Sequence, residues 1–357
     1  MSLVLEFARR LMLQPAAPYY EERVAAECRA ISEEYGLPLR QDKFGNLLLS
    51  QKRGKGVRCV VLAAHMDHPG FEVRKMAGPS EVIASFQGGV PSRYLQAGVK
   101  VRLFPGDIQG TIVEALQGGR FKIQSSASLA LKPSFAVWDL NPFHFYDGKI
   151  YGRACDDLIG CAVVLAALVE LKKRKRPFHV LGILSRAEEV GFQGALQVCH
   201  SKVIPRDAFV ISLETSKELP PVKLGNGVII RTGDKTSIFD SDGTLYLQDV
   251  AKKCAKAKKG NFQWQRALMS GGTCEATAYQ AYGYQTSAVC VALGNYHNCG
   301  ENQKLVEEYV SLEDAEGMVT LLVAAALETK NFRKPSLALA KALDRLRLQG
   351  KTRLGTG

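Results

Sequence analysis

Apolar positions along the chain fall into two textures. Five short continuous apolar runs, at 46–50, 58–64, 178–184, 208–213 and 287–293, read as strands buried on both faces. Between and around them, apolar residues recur at helical spacing over 2–13, 19–35, 156–173, 246–259 and 311–330, and a further helix opens near Gly271-Gly272-Thr273. Pro15 and Pro18 separate the first two helices, and Glu21-Glu22 suits the first turn of the second. Strands alternating with helices predict an α/β fold, a mostly parallel sheet with helices on both faces. From 72 to 148 the texture changes. Glycines recur, short β-rich runs such as 99–103, 111–113, 121–123 and 135–138 lie between them, and no helical period is present. This stretch predicts a small all-β, barrel-like domain interrupting the first. The expected organisation is a discontinuous catalytic domain, 1–71 and 149–334, an inserted β domain, 72–148, and a basic amphipathic tail, 335–357. In the tail Leu339, Leu343 and Leu346 share one helix face beside Lys341, Arg345 and Arg347.

Composition narrows the classes. Hydrophobic residues are 46% of 357, enough for a large core, yet no window approaches the roughly 18 consecutive apolar residues of a membrane span. The N-terminal apolar run carries Glu6, Arg9 and Arg10 and so reads as an amphipathic helix rather than a signal peptide. Nine scattered cysteines form no CxxC pair, which suits free thiols in a reducing cytoplasm. The net charge of +12 raises nucleic acid as a partner. The basic residues, however, sit in short clusters, Lys172–Arg176 and Lys252, Lys253, Lys256, Lys258 and Lys259, with no nucleic-acid-binding signature beside them. They read as solvated faces, and neither nucleic acid nor membrane is expected as a partner.

The candidate chemistry gathers at strand ends. In open α/β sheets ligands bind beyond the carboxyl ends of the strands. His65, Glu188, Glu189, Glu214 and His297 each follow a predicted core strand, and Asp156 opens a helix. Adjacent glutamates after a buried strand are costly unless a cation or a proton uses them. A lone histidine in such a place is most often structural, but histidines and carboxylates repeated at matching strand ends point to a metal centre. Imidazole plus carboxylates suits Zn, Co or Mn, and a shared Asp could bridge two ions. Asp67, two residues after His65, could orient its imidazole. His68 would project to the opposite face.

His65-Met-Asp67, Cys155-Asp156-Asp157-Leu-Ile-Gly160, Glu188-Glu189-Val-Gly-Phe-Gln-Gly-Ala195, Leu224-Gly-Asn-Gly227, Gly271-Gly-Thr273 and Tyr296-His297 occur in this order. Together they resemble the di-metal aminopeptidases of the glutamyl aminopeptidase / tetrahedral aminopeptidase family, over essentially the whole chain up to about 330. The resemblance implies one metal site of His65, Asp156 and Glu214 and a second of Asp156, Glu189 and His297. It also implies Glu188 as general base, Asp67 as the orienter of His65, two divalent ions per subunit (Zn, with Co or Mn as alternatives), peptide substrates, and a homo-oligomer from dimer to dodecamer. The chain departs from the pattern at Glu214 (usually Asp), Leu158 (usually Arg), His68 (usually Glu) and Cys274 (usually Asp), and the insert lacks the usual acidic strand. These changes bear on substrate preference and assembly. The alternatives are a dipeptidase or deacylase on the same fold, or a metal-binding scaffold without catalysis. A two-carboxylate glycosidase is disfavoured by the metal-type residues.

Overall fold

In the computed structural model, which describes residues 2–257 and 261–354, the chain forms one mixed sheet flanked by helices, and a closed barrel set into it. Helices α1 (Leu3–Met12) and α2 (Glu22–Glu34) precede strands β1 (Leu39–Gln41), β2 (Leu47–Arg53) and β3 (Val60–His65). The barrel follows directly as β4 (Gly70–Gly78), β5 (Glu81–Gln87), β6 (Lys100–Phe104), β7 (Ile108–Leu116), β8 (Arg120–Ser125) and β9 (Phe135–Trp138). Then come β10 (His144–Tyr146), β11 (Lys149–Gly152), α3 (Cys155–Lys172), β12 (Phe178–Ser185), α4 (Gln193–Ser201), β13 (Phe209–Lys217) and β14 (Val228–Gly233). The chain continues through α5 (Ser241–Ala257), β15 (Trp264–Leu268), α6 (Glu275–Ala281), β16 (Gln285–Leu293), β17 (Glu308–Ser311), α7 (Leu312–Leu327) and α8 (Lys334–Leu354).

The large sheet has the order β1-β2-β12-β3-β13-β16-β14-β15. Its centre, β12-β3-β13-β16, is parallel, while β2 and β14 join antiparallel. Side chains alternate across it. Val60, Leu62 and Ala64 of β3 face a core shared with α1, α3, α5 and α7, whereas Val61 and Ala63 face a second core with α4 and α6. Every residue of β3 is buried for this reason. The sequence expectation of a mostly parallel sheet covered on both faces therefore describes the fold.

The sequence reading missed β14, β15 and β17. β14 is buried between β16 and β15, but its apolar run is only Val228-Ile229-Ile230 before Arg231; β15 is an edge strand with exposed positions, and β17 has only four residues in the small β10-β11-β17 sheet. The strand expected to stop at Glu214 continues to Lys217, held along its length by β16. The helix expected over 246–259 starts earlier, at Ser241; Lys258 and Lys259 fall outside the described residues.

The barrel order is β4-β5-β8-β7-β6-β9, closed, with Phe71, Val101, Leu103, Ile112, Ile123 and Trp138 inside. Closure leaves no unpaired edge, which is how so small a β unit avoids offering a template for aggregation. Helix α3 is buried almost throughout and crosses under the sheet as the central helix of the larger core. At the C-terminus only the first turns of α8 pack, with Ser336 Oγ donating to Asp242 at 2.6 Å. Leu337, Leu339, Leu343, Leu346 and Leu348 remain exposed.

Candidate metal centre

The parallel strands deliver their carboxyl ends to one edge. β3 and β12 run in register so that His65 lies beside Ser185, and Glu188 and Glu189 follow in the next turn. Glu214 comes from β13, His297 from the turn after β16, and Asp156 from the entry to α3. Asp156 and Asp157 have non-helical backbone angles, and the peptide between them is cis, so the helix proper starts beyond the acidic pair.

These residues form two clusters sharing Asp156. In one, His65, Asp156 and Glu214 bring their ligand-type atoms within 4.8 Å of each other; in the other Asp156, Glu189 and His297 do the same. His65 Nε2 lies 3.6 Å from Asp156 Oδ1 and 4.0 Å from Glu214 Oε2. His297 Nε2 lies 3.7 Å from Asp156 Oδ2 and 3.3 Å from Glu189 Oε1. Spacings of this size are too long for most hydrogen bonds and leave room for an ion between the donors. Asp156 Oδ1 and Glu214 Oε1 are buried with no hydrogen-bond partner among the described residues. Buried carboxylate oxygens without partners are costly, and a divalent cation satisfies them. The donor set, one imidazole and carboxylates per cluster, fits Zn, Co or Mn.

The electrostatics are those of a crowded acidic pocket. Burial, together with Glu214, Glu189 and Asp67, pushes the Glu188 pKa well above the usual carboxylate range, against the pull of His65. Burial likewise lifts Glu214 to about 8 although His65 and Arg231 oppose it. Burial alone would depress the histidines. Glu189 and Asp156 overcome it for His297, which rises to about 10, and Glu188, Asp156 and Asp67 raise His65 well above its ordinary value. For Asp156 the burial penalty is outweighed by His65 and His297, which hold it below the ordinary value.

Asp67 sits beneath the centre beside His65, with more bonds than the one expected. His65 Nδ1 is 3.1 Å from the Asp67 main-chain carbonyl and 3.5 Å from its carboxylate. The carboxylate also accepts the backbone N–H groups of Glu188 at 2.9 Å and Glu189 at 3.1 Å. It thus fixes the turn that aims both glutamates. The same turn is tied from outside. Glu21, fully buried, accepts from Ala187 N and Tyr19 N at 2.9 Å and from Arg186 Nε at 2.6 Å. Asn46 accepts from Arg186 N, and a side chain at Gly194 would collide with it and with the Arg186 backbone.

Sequence reasoning missed a second clasp. Glu308, at the start of β17, is fully buried and accepts Asp156 N at 3.1 Å and His297 N at 2.8 Å. One carboxylate therefore fixes the backbone of two residues of the same cluster. His297 and Asn298 both have left-handed backbone, φ 53° and 61°, a conformation that non-glycine residues hold only when their surroundings enforce it. Asn298 donates to Arg153 O and Val306 O at 3.0 Å and accepts from His68 Nε2 at 2.9 Å, and His68 Nδ1 bonds Asp156 O at 2.7 Å. His68 is thus a brace between the two segments; its ring stands edge-on to that of His297, 6.4 Å between centroids, and it belongs to neither cluster. The signal for Glu308 was present: Glu307-Glu308 is another glutamate pair at the edge of a strand, the pattern that singled out Glu188-Glu189.

A cleft of about 210 Å³ opens over both clusters, walled by Phe192, Leu219, Met269, Tyr296 and the 271–274 turn, with Arg231 buried at its side. Arg231 Nε has no hydrogen-bond partner among the described residues, and its Nη1 reaches Ser216 Oγ at 3.4 Å. A small, half-open cleft of this kind admits one side chain beside the carboxylate–imidazole clusters.

Comparison with known proteins agrees with this architecture. The TET1 peptidase of Pyrococcus horikoshii is 23% identical with a TM-score of 0.75, covering 91% of this chain and 99% of that one. A TET aminopeptidase from a marine-sediment thaumarchaeon is 22% identical with a TM-score of 0.77, covering 92% and 99%. At these identities they show a shared fold. A protein of Acetivibrio thermocellus, assigned as an aminopeptidase, is 25% identical over 308 residues, 80% of this chain and 87% of its own length. The model of the M42 glutamyl aminopeptidase family matches residues 131–316, a span that includes Asp156, Glu188, Glu189, Glu214, His297 and Glu308. With just over half its length matched in this way, the chain belongs to the M42 glutamyl aminopeptidase family and is a metal-dependent aminopeptidase, a hydrolase of peptide bonds.

Proposed function

We propose that the chain removes N-terminal residues from peptides using two divalent cations, one held by His65, Asp156 and Glu214 and the other by Asp156, Glu189 and His297, with Glu188 as general base. The observation that carries this reading is the shared Asp156 with one carboxylate, Glu188, left over: it reaches within 3.9 Å of His65 Nε2 yet belongs to neither cluster. Bound there, divalent cations (Zn first, Co or Mn as alternatives) supply Lewis acidity that polarises a carbonyl and makes an attacking water more acidic. Glu188 takes the proton from that water and delivers it to the leaving amine. Asp67 positions Glu188 through the backbone, and the cleft walls exclude bulk water. A scaffold without catalysis has no use for a buried, unligated carboxylate whose backbone is fixed so closely.

An exopeptidase must also recognise a free α-ammonium, and Glu188 and Glu189 are the acidic groups placed to receive it. Blocking the amine removes the charge and adds bulk where the substrate should end. An uncompensated buried carboxylate is penalised heavily, so discrimination should be large, about 10²-fold or more in kcat/KM. The assay compares an aminoacyl anilide with its N-acetyl analogue. Equal or faster cleavage of the acetylated compound would transfer the assignment to a deacylase on the same fold.

The carboxylate of Glu308 supports the reading from behind. Glu308→Gln places an amide N–H against a backbone N–H that now faces an acceptor. Partners that orient metal ligands typically account for about 10–100-fold in affinity. The expected result is a loss of that size at the Asp156–Glu189–His297 site, with the other site less affected, read by competitive cation titration. Unchanged affinity at both sites would remove Glu308 from this role.

The same proposal extends to organisation. Residues 1–71 with 149–334 form the catalytic domain, 72–148 the inserted β domain and 335–357 the tail, of which 355–357 lie outside the described residues. The TET1 peptidase of Pyrococcus horikoshii assembles into a tetrahedron or a larger octahedral shell. We expect this chain to self-associate as well, through the barrel, the exposed leucines of α8, or both. Light scattering should give a mass that is a multiple of 39.0 kDa, and a monodisperse monomer at micromolar concentration would reject it. All nine cysteines are free, which supports a reducing, cytoplasmic setting.

A further inference from the structure

Outside the peptidase cleft, one buried charge that the peptidase chemistry does not use belongs to Arg153. It precedes α3 and is only 5% exposed. Its carbonyl accepts from Asn298, but its guanidinium makes no hydrogen bond or ion pair among the described residues. An arginine taken out of water is normally paired, because the desolvation of its charge is otherwise uncompensated. Burial draws its pKa down to about 10.

The side chain lines a second cleft, of about 480 Å³, where the end of α1, the first turn of α2 and strand β6 of the barrel meet. Two further arginines line it. Arg23 is exposed, with its guanidinium carbon 5.1 Å above the centre of the Phe104 ring, and it forms no ion pair among the described residues. Arg102 is already engaged. It donates to Asp139 Oδ1 at 2.7 Å and to Asp107 Oδ1 at 2.9 Å, while Gln109 takes the other oxygen of Asp139 at 2.7 Å. The cleft's two carboxylates are therefore committed to Arg102. Arg153 and Arg23 keep their N–H groups for something else, and Arg102 adds to the positive field.

We propose that this cleft binds an oxyanion, a phosphate or a carboxylate, between Arg153 and Arg23. The guanidinium fork matches either group through paired N–H donors. The site draws Arg153 and Arg23 from the parallel-sheet domain and has Arg102 of the barrel beside it, so it lies where the two domains meet. Junctions between domains are common ligand sites for this geometric reason. Two sources supply the chemistry: free inorganic phosphate, or a carboxylate carried by a peptide or metabolite.

The test uses the full-length, cation-loaded protein in thermal melts and isothermal titration, with inorganic phosphate and glutarate as probes and sodium chloride at matched ionic strength as reference. Phosphate or glutarate at about 20 mM should raise the melting midpoint by about 2 °C over the chloride reference, and whichever probe does so identifies the source. Because divalent cations also hold phosphate, dependence on Arg153 is decisive. Arg153→Met should weaken binding at least about tenfold. Arg23→Gln, an exposed change that leaves folding undisturbed, should weaken it at least about threefold. Should Arg153→Met fail to fold, the Arg23→Gln titration decides. The proposal is overturned if neither anion acts beyond the chloride reference, or if the effect survives Arg153→Met or Arg23→Gln unchanged.

Discussion

Asp156→Ala should yield a protein that folds, binds no divalent cation tightly and has no measurable peptidase activity. The reason is geometric. One carboxylate serves both clusters, with Oδ1 3.6 Å from His65 Nε2 and Oδ2 3.7 Å from His297 Nε2. Removing it leaves each cluster with one imidazole and one carboxylate, too few donors to hold a Zn-type ion firmly. It also removes the group that the two clusters share. The fold should survive, because the apolar core lies below the site and Asp156 Oδ1 makes no hydrogen bond that a core element needs. Loss of one carboxylate also relieves repulsion among Glu188, Glu189 and Glu214. Elemental analysis of dialysed protein, beside far-UV circular dichroism, checks the result. The unaltered chain should carry two ions per chain and lose activity to a strong chelator. An Asp156→Ala protein that retains both ions would reject the whole ligand assignment, since no other described residue belongs to both clusters. Asp156→Asn provides a graded control: the amide oxygen can serve one ion but not both.

How far such a centre is legible in the sequence depends on what carries each part. The buried parallel strands were plain in 58–64, 178–184 and 287–293, because strands covered on both faces leave continuous apolar runs. Residues placed at their ends inherit a position from that pattern, and so His65, Glu188, Glu214 and His297 could be grouped before any distance was known. Asp156 was harder, since it belongs to no strand; it was reached through its place before a helix and the resemblance of its flanking residues. What the sequence did not convey is the backbone bonding. Asp67 is expected beside the His65 ring, and its carboxylate does lie 3.5 Å from His65 Nδ1, but the chain spacing does not show that it also accepts the Glu188 and Glu189 amides. Spacing along a chain shows which side chains can share a face, not which of several nearby donors wins. Glu308 was overlooked for a related reason. Its effect is exerted on the main chain of Asp156 and His297, far away in sequence, and depends on a β17 strand too short and too polar to be seen as one. His68 shows the same gap. Its replacement of the family's usual glutamate was noted, but only the fold reveals that its ring spans Asp156 O and Asn298 Oδ1.

Glu188→Gln isolates the chemistry from the metal. The amide has nearly the same shape as the carboxylate and the turn that holds it is unchanged: Asp67 grips the Glu188 backbone, and Glu21 grips Ala187 before it. What disappears is the ability to accept a proton. General base catalysis typically contributes about 10²–10⁴-fold, or roughly 3–5 kcal/mol of barrier, and kcat should fall by that factor. The cation content should stay at two, because the Glu188 carboxylate belongs to neither cluster. Removing one negative charge from a pocket that already holds Glu189, Glu214 and Asp156 should if anything ease the packing of that pocket, so stability should not fall. A second readout separates loss of the base from a general disturbance of the site. The acid limb of the pH profile of kcat/KM, which reports protonation of the base in the free enzyme, should flatten in the variant while remaining in the unaltered chain. Near-normal turnover with both ions bound would show that the proton goes elsewhere. The general base would then have to be sought among the other groups lining the cleft.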